Sequence, residues 1–123
     1  MKNNIIKIAA VFGFLAVGLG AFGSHALKEF LEAAGNLQTF HTAVSYQFYH
    51  TLAILLVGLM MNFNYAKTLK WAAYCFIAGI LFFSGSLYAI CFTGIKTFGA
   101  VAPIGGTLFI VGWALLFFSF RKD

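Results

Sequence analysis

The sequence predicts an all-α integral membrane protein: a bundle of four transmembrane helices, with a short amphipathic helix in the interface between helices 1 and 2. Three observations predict this. Of 123 residues, 62% are hydrophobic and 9% charged, where about a quarter of the residues of a soluble domain are charged. The charges divide the chain into uncharged stretches at 8–27, 33–66, 71–95 and 97–120, each able to supply the roughly 20 apolar residues that cross a bilayer. No Pro/Ser-rich linker, charged tail or low-complexity tract interrupts the chain, so residues 1–123 read as one domain.

The first helix is placed at about 5–23. Lys2 and Lys7 before an apolar run, with small residues at Gly23 and Ala26, imitate a secretory signal. The run is long enough to span and three more follow, so it is read as a retained helix. Ala9, Gly13, Ala16, Gly20 and Gly23 form one smooth stripe along it. In lipid such a stripe permits the close backbone approach that lets helices pair, within the chain or with another subunit.

Next, Leu27, Phe30, Leu31 and Ala34 repeat at i, i+3, i+4, i+7 while Lys28, Glu29 and Glu32 take the other face. This spacing predicts a short helix lying in the membrane interface, with Ser24 as its N-cap and Gly35-Asn36 as its stop. The second helix is placed at about 41–61 and the third at about 70–92. The fourth, at about 103–120, has Pro103 in its first turn, where the missing N–H costs nothing. Gly105, Gly106 and Gly112 give it a second small-residue surface.

The net charge of +5 is topological rather than a nucleic-acid signature, because the cations sit at the ends of apolar runs where they meet lipid headgroups. Lys2, Lys7, Lys67, Lys70, Arg121 and Lys122 make six on one side; Lys28 and Lys96 make two on the other. The positive-inside bias places both termini of this multi-pass protein in the cytoplasm. Cys75 and Cys91, sixteen residues apart in one run, fall on nearly opposite helix faces and form no disulfide framework.

The second helix opens with unusually polar residues, Phe40 to His50. Tyr46, Gln47 and His50 share a face, and His50 lies about 13 Å below His41 by helical rise. The third helix runs the opposite way and brings Ser84, Ser86 and Tyr88 to a similar depth, roughly 6 to 12 Å below its outer end. Thr107 arrives there from the fourth. The sequence thus predicts a polar cluster of Tyr46, Gln47, His50, Ser84, Ser86 and Tyr88 in the outer half, structural or ligand-binding. Residues 52–61, 75–81 and 108–118, in the inner half, offer little beyond apolar side chains and glycine.

An intramembrane histidine invites a functional reading. A proton-coupled carrier using His50 would need ionisable groups at successive depths, and the inner half supplies none. A serine nucleophile with His50 as base lacks an intramembrane carboxylate to orient the imidazole. His25 and His41, near the outer surface, are weak candidates for a metal or haem because no ligand-spaced partner accompanies them. No cofactor is required. The leading reading is a non-enzymatic accessory or membrane-stabilising component, with membrane lipid, another membrane protein or a second copy as partner and no nucleic acid; a small carrier using His50 and a metal- or haem-binding membrane protein are the alternatives.

Gly20-Ala21-Phe22-Gly23-Ser24-His25-Ala26-Leu27, Phe40 to His50, Phe83-Ser84-Gly85-Ser86-Leu87-Tyr88, Pro103-Ile104-Gly105-Gly106 and Gly112-Trp113 together resemble the YgdD/YwdK type of small bacterial inner-membrane proteins. That family is classed as a domain of unknown function (DUF423) and has eukaryotic transmembrane relatives. Ser24 and Ser45 depart locally from its pattern, where Ala and a Gln- or Ala-like residue are expected. The resemblance implies an intact four-helix protein of the cytoplasmic membrane. It implies no enzyme activity, cofactor or assigned catalytic residue.

Overall fold

In the computed structural model the described residues are 2–63 and 66–120. Of the cations counted for topology, Arg121, Lys122 and the side chain of Lys2 lie outside them. All regular structure among the described residues is helical: α1 (Lys2–Ser24), α2 (Lys28–Ala33), α3 (Leu37–Met60), α4 (Lys67–Gly79), a π-helical turn (Ile80–Ser84), α5 (Gly85–Thr93), a 3-10 turn (Lys96–Ala100) and α6 (Ala102–Phe118). Four helices among them are long and apolar enough to cross a membrane: Asn3–Ser24, Leu37–Met60, Lys67–Thr93 and Lys96–Phe118. Helices answer the demand that lipid imposes, since every backbone polar group bonds within its own segment.

Several helix ends differ from the sequence-based placement: α1 starts at Lys2 rather than near 5 and the third span at Lys67 rather than near 70, and the starts of α2 and α3 differ as well. Ser24 does not cap α2; it closes α1, and α2 starts four residues later behind Leu27 without a side-chain cap. The intervening residues form a turn in which Leu27 N–H donates to Phe22 O at 2.8 Å. At the other end of α2, Gly35 adopts φ +73°, with Gly35 N–H bonded to Glu32 O and Asn36 N–H to Leu31 O. That is a Schellman closure, which needs a residue tolerant of left-handed backbone. Nothing after Asn36 breaks a helix, so α3 starts at Leu37 rather than near 41, and His41 stands one turn inside it. The amphipathic reading of α2 is also sharpened: Leu31 is fully buried against Phe40 and Cys91, whereas Phe30 and Ala34 face outward.

α3 and the third span are the inner pair. α1 packs along α3, and α6 along α4 and the π turn. One core cluster joins Ile5, Ala9, Ile54, Val57, Leu69, Phe76 and Phe109; a second joins Leu31, Phe40 and Cys91 beneath α2. Because lipid tails are as apolar as these side chains, such burial contributes through close packing rather than through removal from water. The α6 contact illustrates it with three phenylalanines set against three glycines, two through their rings and one through its backbone and Cβ. Phe76 lies against Gly112, Phe109 against Gly79, and Phe83 with its backbone against Gly105.

Candidate functional site

The residues of the predicted cluster arrive at one end of the bundle but separate into two hydrogen-bond networks. Gln47, 3% exposed, faces α1 and the third span. Its Nε2 donates to Phe12 O at 2.8 Å, and its Oε1 accepts from the Tyr88 hydroxyl at 2.7 Å. One side-chain amide therefore links three of the four spans. Ser84, fully buried at the end of the π turn, donates to Ala43 O at 2.7 Å and ties the third span to α3 again. Ser86 donates to Phe83 O three residues back, an internal bond that leaves it outside any inter-helix link.

His50, one turn along α3 from Gln47, turns to α6 instead. Its Nδ1 lies 2.8 Å from Tyr46 O, and its Nε2 lies 3.1 Å from the indole Nε1 of Trp113. The indole can only donate, so Nε2 accepts and the proton sits on Nδ1, donating to the carbonyl. The ring is thus held as the neutral Nδ1–H tautomer with both nitrogens engaged. It stacks on Phe109, centroids 3.6 Å apart and planes 8° apart. Tyr46 packs on Phe83 at 4.8 Å between centroids, is 41% exposed, and its hydroxyl has no partner among the described residues. Thr107 stays out of both networks, its hydroxyl bonding Pro103 O of its own helix.

Four residues are not singled out by depth. Trp113 falls in the stretch 108–118 that reads as apolar, yet its indole N–H completes the His50 site. Thr51, 4% exposed, holds a buried hydroxyl without a hydrogen-bond partner at the point where Gly13 of α1 meets α3. Thr68 and Ser119 join α4 to the end of α6 at 2.6 Å between hydroxyl oxygens, at the opposite end of the bundle.

Small residues divide by function. Ala9 and Ala16 are buried to 2% exposure; Gly13 and Gly20 meet Thr51 and Val44 at ordinary contact distance; Gly23 lies beneath the Phe40 ring. This stripe is occupied by α3 within the chain. Gly105 admits the Phe83 backbone, whereas Gly106 has only Phe83 Cδ1 nearby, 4.0 Å from where a Cβ would stand.

Cys75 is half-buried and Cys91 buried, both as free thiols; the latter donates to Asn36 O at 3.7 Å. No three His, Cys, Asp or Glu residues among those described are placed to hold a metal, and His25 and His41 do not meet in such a group. His41 instead lines a small polar pocket with Ser24 and Lys28 at the α2 end.

Several grooves open on the outside of the bundle, one of about 200 Å³ between α1 and the third span beside Gln47, Ser84 and Tyr88. Another of about 570 Å³ lies over Tyr46, His50, Phe109 and Trp113 between α3 and α6. The others follow the seam of α1 and α3.

A family model described as "Protein of unknown function (DUF423)" matches residues 19–106. The chain is 42% identical to a UPF0382 membrane protein of Staphylococcus aureus (strain bovine RF122 / ET3-1), over 99% of this chain and 98% of that one. It is 39% identical to the UPF0382 membrane protein YwdK of Bacillus subtilis, over 94% of each chain. To the UPF0382 inner membrane protein YgdD of Escherichia coli it is 37% identical, over 91% of this chain and 85% of that one. No solved structure matches.

Proposed function

This chain belongs to the DUF423 family, and from that premise we propose that it is a non-enzymatic accessory component of the cytoplasmic membrane: its polar cluster braces the bundle from within, and its lipid-facing grooves hold lipid or a neighbouring helix. The observation that carries this is the engagement of the cluster itself. Gln47, His50, Ser84, Ser86 and Tyr88 all have protein hydrogen-bond partners, and the two serine hydroxyls donate to backbone carbonyls rather than to an imidazole. A nucleophile needs a base within hydrogen-bond reach, and none of these pairs is of that kind. The same engagement weighs against a carrier built on His50, whose two ring nitrogens are held by Tyr46 O and Trp113.

In this reading both termini are cytoplasmic. Lys7, Lys67 and Lys70 mark the inner end, and α2 with Lys28 lies at the outer surface. Native mass spectrometry of protein extracted in a mild detergent tests the proposal. Retained lipid or a co-extracted membrane partner is the expected result. A bare monomer that takes up neither on return to lipid would overturn it.

A further inference from the structure

The seam between α1 and α3 has a polar mouth and a long apolar floor. At the α2 end a pocket of about 140 Å³ is lined by Gly23, Ser24, Lys28, Leu37 and His41. Below it, a groove of about 230 Å³ passes Gly20, Val44 and Phe48, and continues into one of about 670 Å³ that reaches Gly13, Leu52 and Leu55. The last two share Val17 and Phe48, so they are one trough. On α3 the lining residues include 37, 41, 44, 48, 52 and 55, which advance by three or four along a single face, with Ser45, Tyr49 and Thr51 at its edges. The mouth and the trough therefore open on the same side of the seam.

The dimensions fit one leaflet. From Val44 to Leu55 the helical rise is about 16 Å, and half of a hydrocarbon core about 30 Å thick is about 15 Å. The chemistry changes at the level where lipid chemistry changes. The trough is walled by Val17, Phe48, Leu52 and Leu55, while the mouth presents an ammonium, a hydroxyl and an imidazole. α3 also begins at the mouth, at Leu37, so the positive end of its dipole favours an anion there. The two carboxylates of α2, Glu29 and Glu32, are not among the residues that line the mouth.

We infer that this seam binds one glycerophospholipid of the α2-side leaflet, with its phosphate at Ser24, Lys28 and His41 and one acyl chain along the trough. The site rests on the lipid-holding reading above and gives it a place and a headgroup chemistry.

Two substitutions separate its parts without touching the core. Lys28→Gln removes the cation from an exposed position. Gly18→Leu puts a side chain into the trough from a glycine whose Cβ would meet nothing within 4 Å.

The test is native mass spectrometry of the full chain, titrated with phosphatidylglycerol, with diacylglycerol of the same chains, and with inorganic phosphate. One phosphatidylglycerol per protomer is expected, held about tenfold more tightly than diacylglycerol, as one charge-assisted contact provides. Lys28→Gln should erase that preference, and Gly18→Leu should weaken both lipids. Inorganic phosphate should not displace the lipid at equal concentration. Equal binding of the two lipids, displacement by phosphate, or wild-type occupancy in both variants would overturn the site. Lipid retained equally by wild type and both variants leaves lipid holding intact and removes only this location, whereas protein bare in every titration sinks both.

Discussion

Gly105 and Gly106 are neighbours on α6, yet the structure assigns them opposite responses to a single methyl group. An alanine Cβ at 105 would stand 2.6 Å from Phe83 Cβ and 2.7 Å from its Cα. These atoms belong to the π turn and its backbone, not to the free end of a side chain, so relief requires α6 to move away from the third span. That movement would lift Phe109 from Gly79 and loosen the ring stack under His50. Overpacking of a close-packed site costs about 1–3 kcal/mol, and the upper part of that range applies where backbone opposes backbone. At 106 the nearest atom is 4.0 Å away, an ordinary contact. There the exchange of glycine for alanine in a helix adds up to about 1 kcal/mol of stability. The two variants should therefore differ by about 3 kcal/mol, with wild type between them. Reversible unfolding in mixed micelles, followed by the fluorescence of Trp71 and Trp113, measures this directly. If Gly105→Ala proves as stable as Gly106→Ala, the close approach of α6 to the third span at Phe83 is wrong.

Further outcomes follow from the hydrogen bonds. Tyr88→Phe removes the donor to Gln47 Oε1 and should cost about 0.6 kcal/mol, the average for membrane hydrogen bonds, with about 1.7 kcal/mol as the upper limit; a double-mutant cycle with Gln47→Leu should show coupling, and strict additivity would deny the contact. Trp113→Phe should cost a similar amount through loss of the donor to His50, and its effect should disappear in a His50→Phe background. Thr51→Val replaces an unpartnered buried hydroxyl with a methyl of similar shape and should raise stability by about 1 kcal/mol; a loss would mean that the hydroxyl is paired. A membrane-permeant maleimide should modify Cys75 well before Cys91, which is 1% exposed and bonded to Asn36 O; equal rates in folded protein would contradict the burial of Cys91.

The spans are legible in the sequence because lipid reduces the problem to length and apolarity: charges at Lys28, Lys67 and Lys96 bracket runs that only a helix can carry across. Rotation about the helix axis is less legible. Depth brings Gln47 and His50 to the level of Tyr88 and Ser84, but depth is one coordinate. It does not say that Gln47 turns to α1 while His50, three residues later, turns to α6. Trp113 is hidden for a related reason, since an indole among Leu, Ile and Phe reads as bulk until a neighbour supplies an acceptor. Capping chemistry alone misplaces a helix start: Ser24 has the oxygen of a cap, but it belongs to the end of α1. Gly35 is readable because the left-handed backbone that closes α2 admits few residue types besides glycine.

The π turn at Ile80–Ser84 divides one crossing into two segments. A π turn accommodates a residue more than an α-helix of the same rise, so deleting one residue from 80–84 would restore a regular helix with both halves still in phase, whereas adding one residue just beyond the turn would rotate the rest of the span by about 100°. Phe76 would still meet Gly112, but Tyr88 would lose Gln47 and Cys91 would lose Asn36. The turn absorbs the extra residue in mid-crossing. It lets one half of the span answer to α6 and the other to α3 and the α2 cover, so a one-residue insertion between the turn and Tyr88 would unfasten one end of the bundle and spare the other.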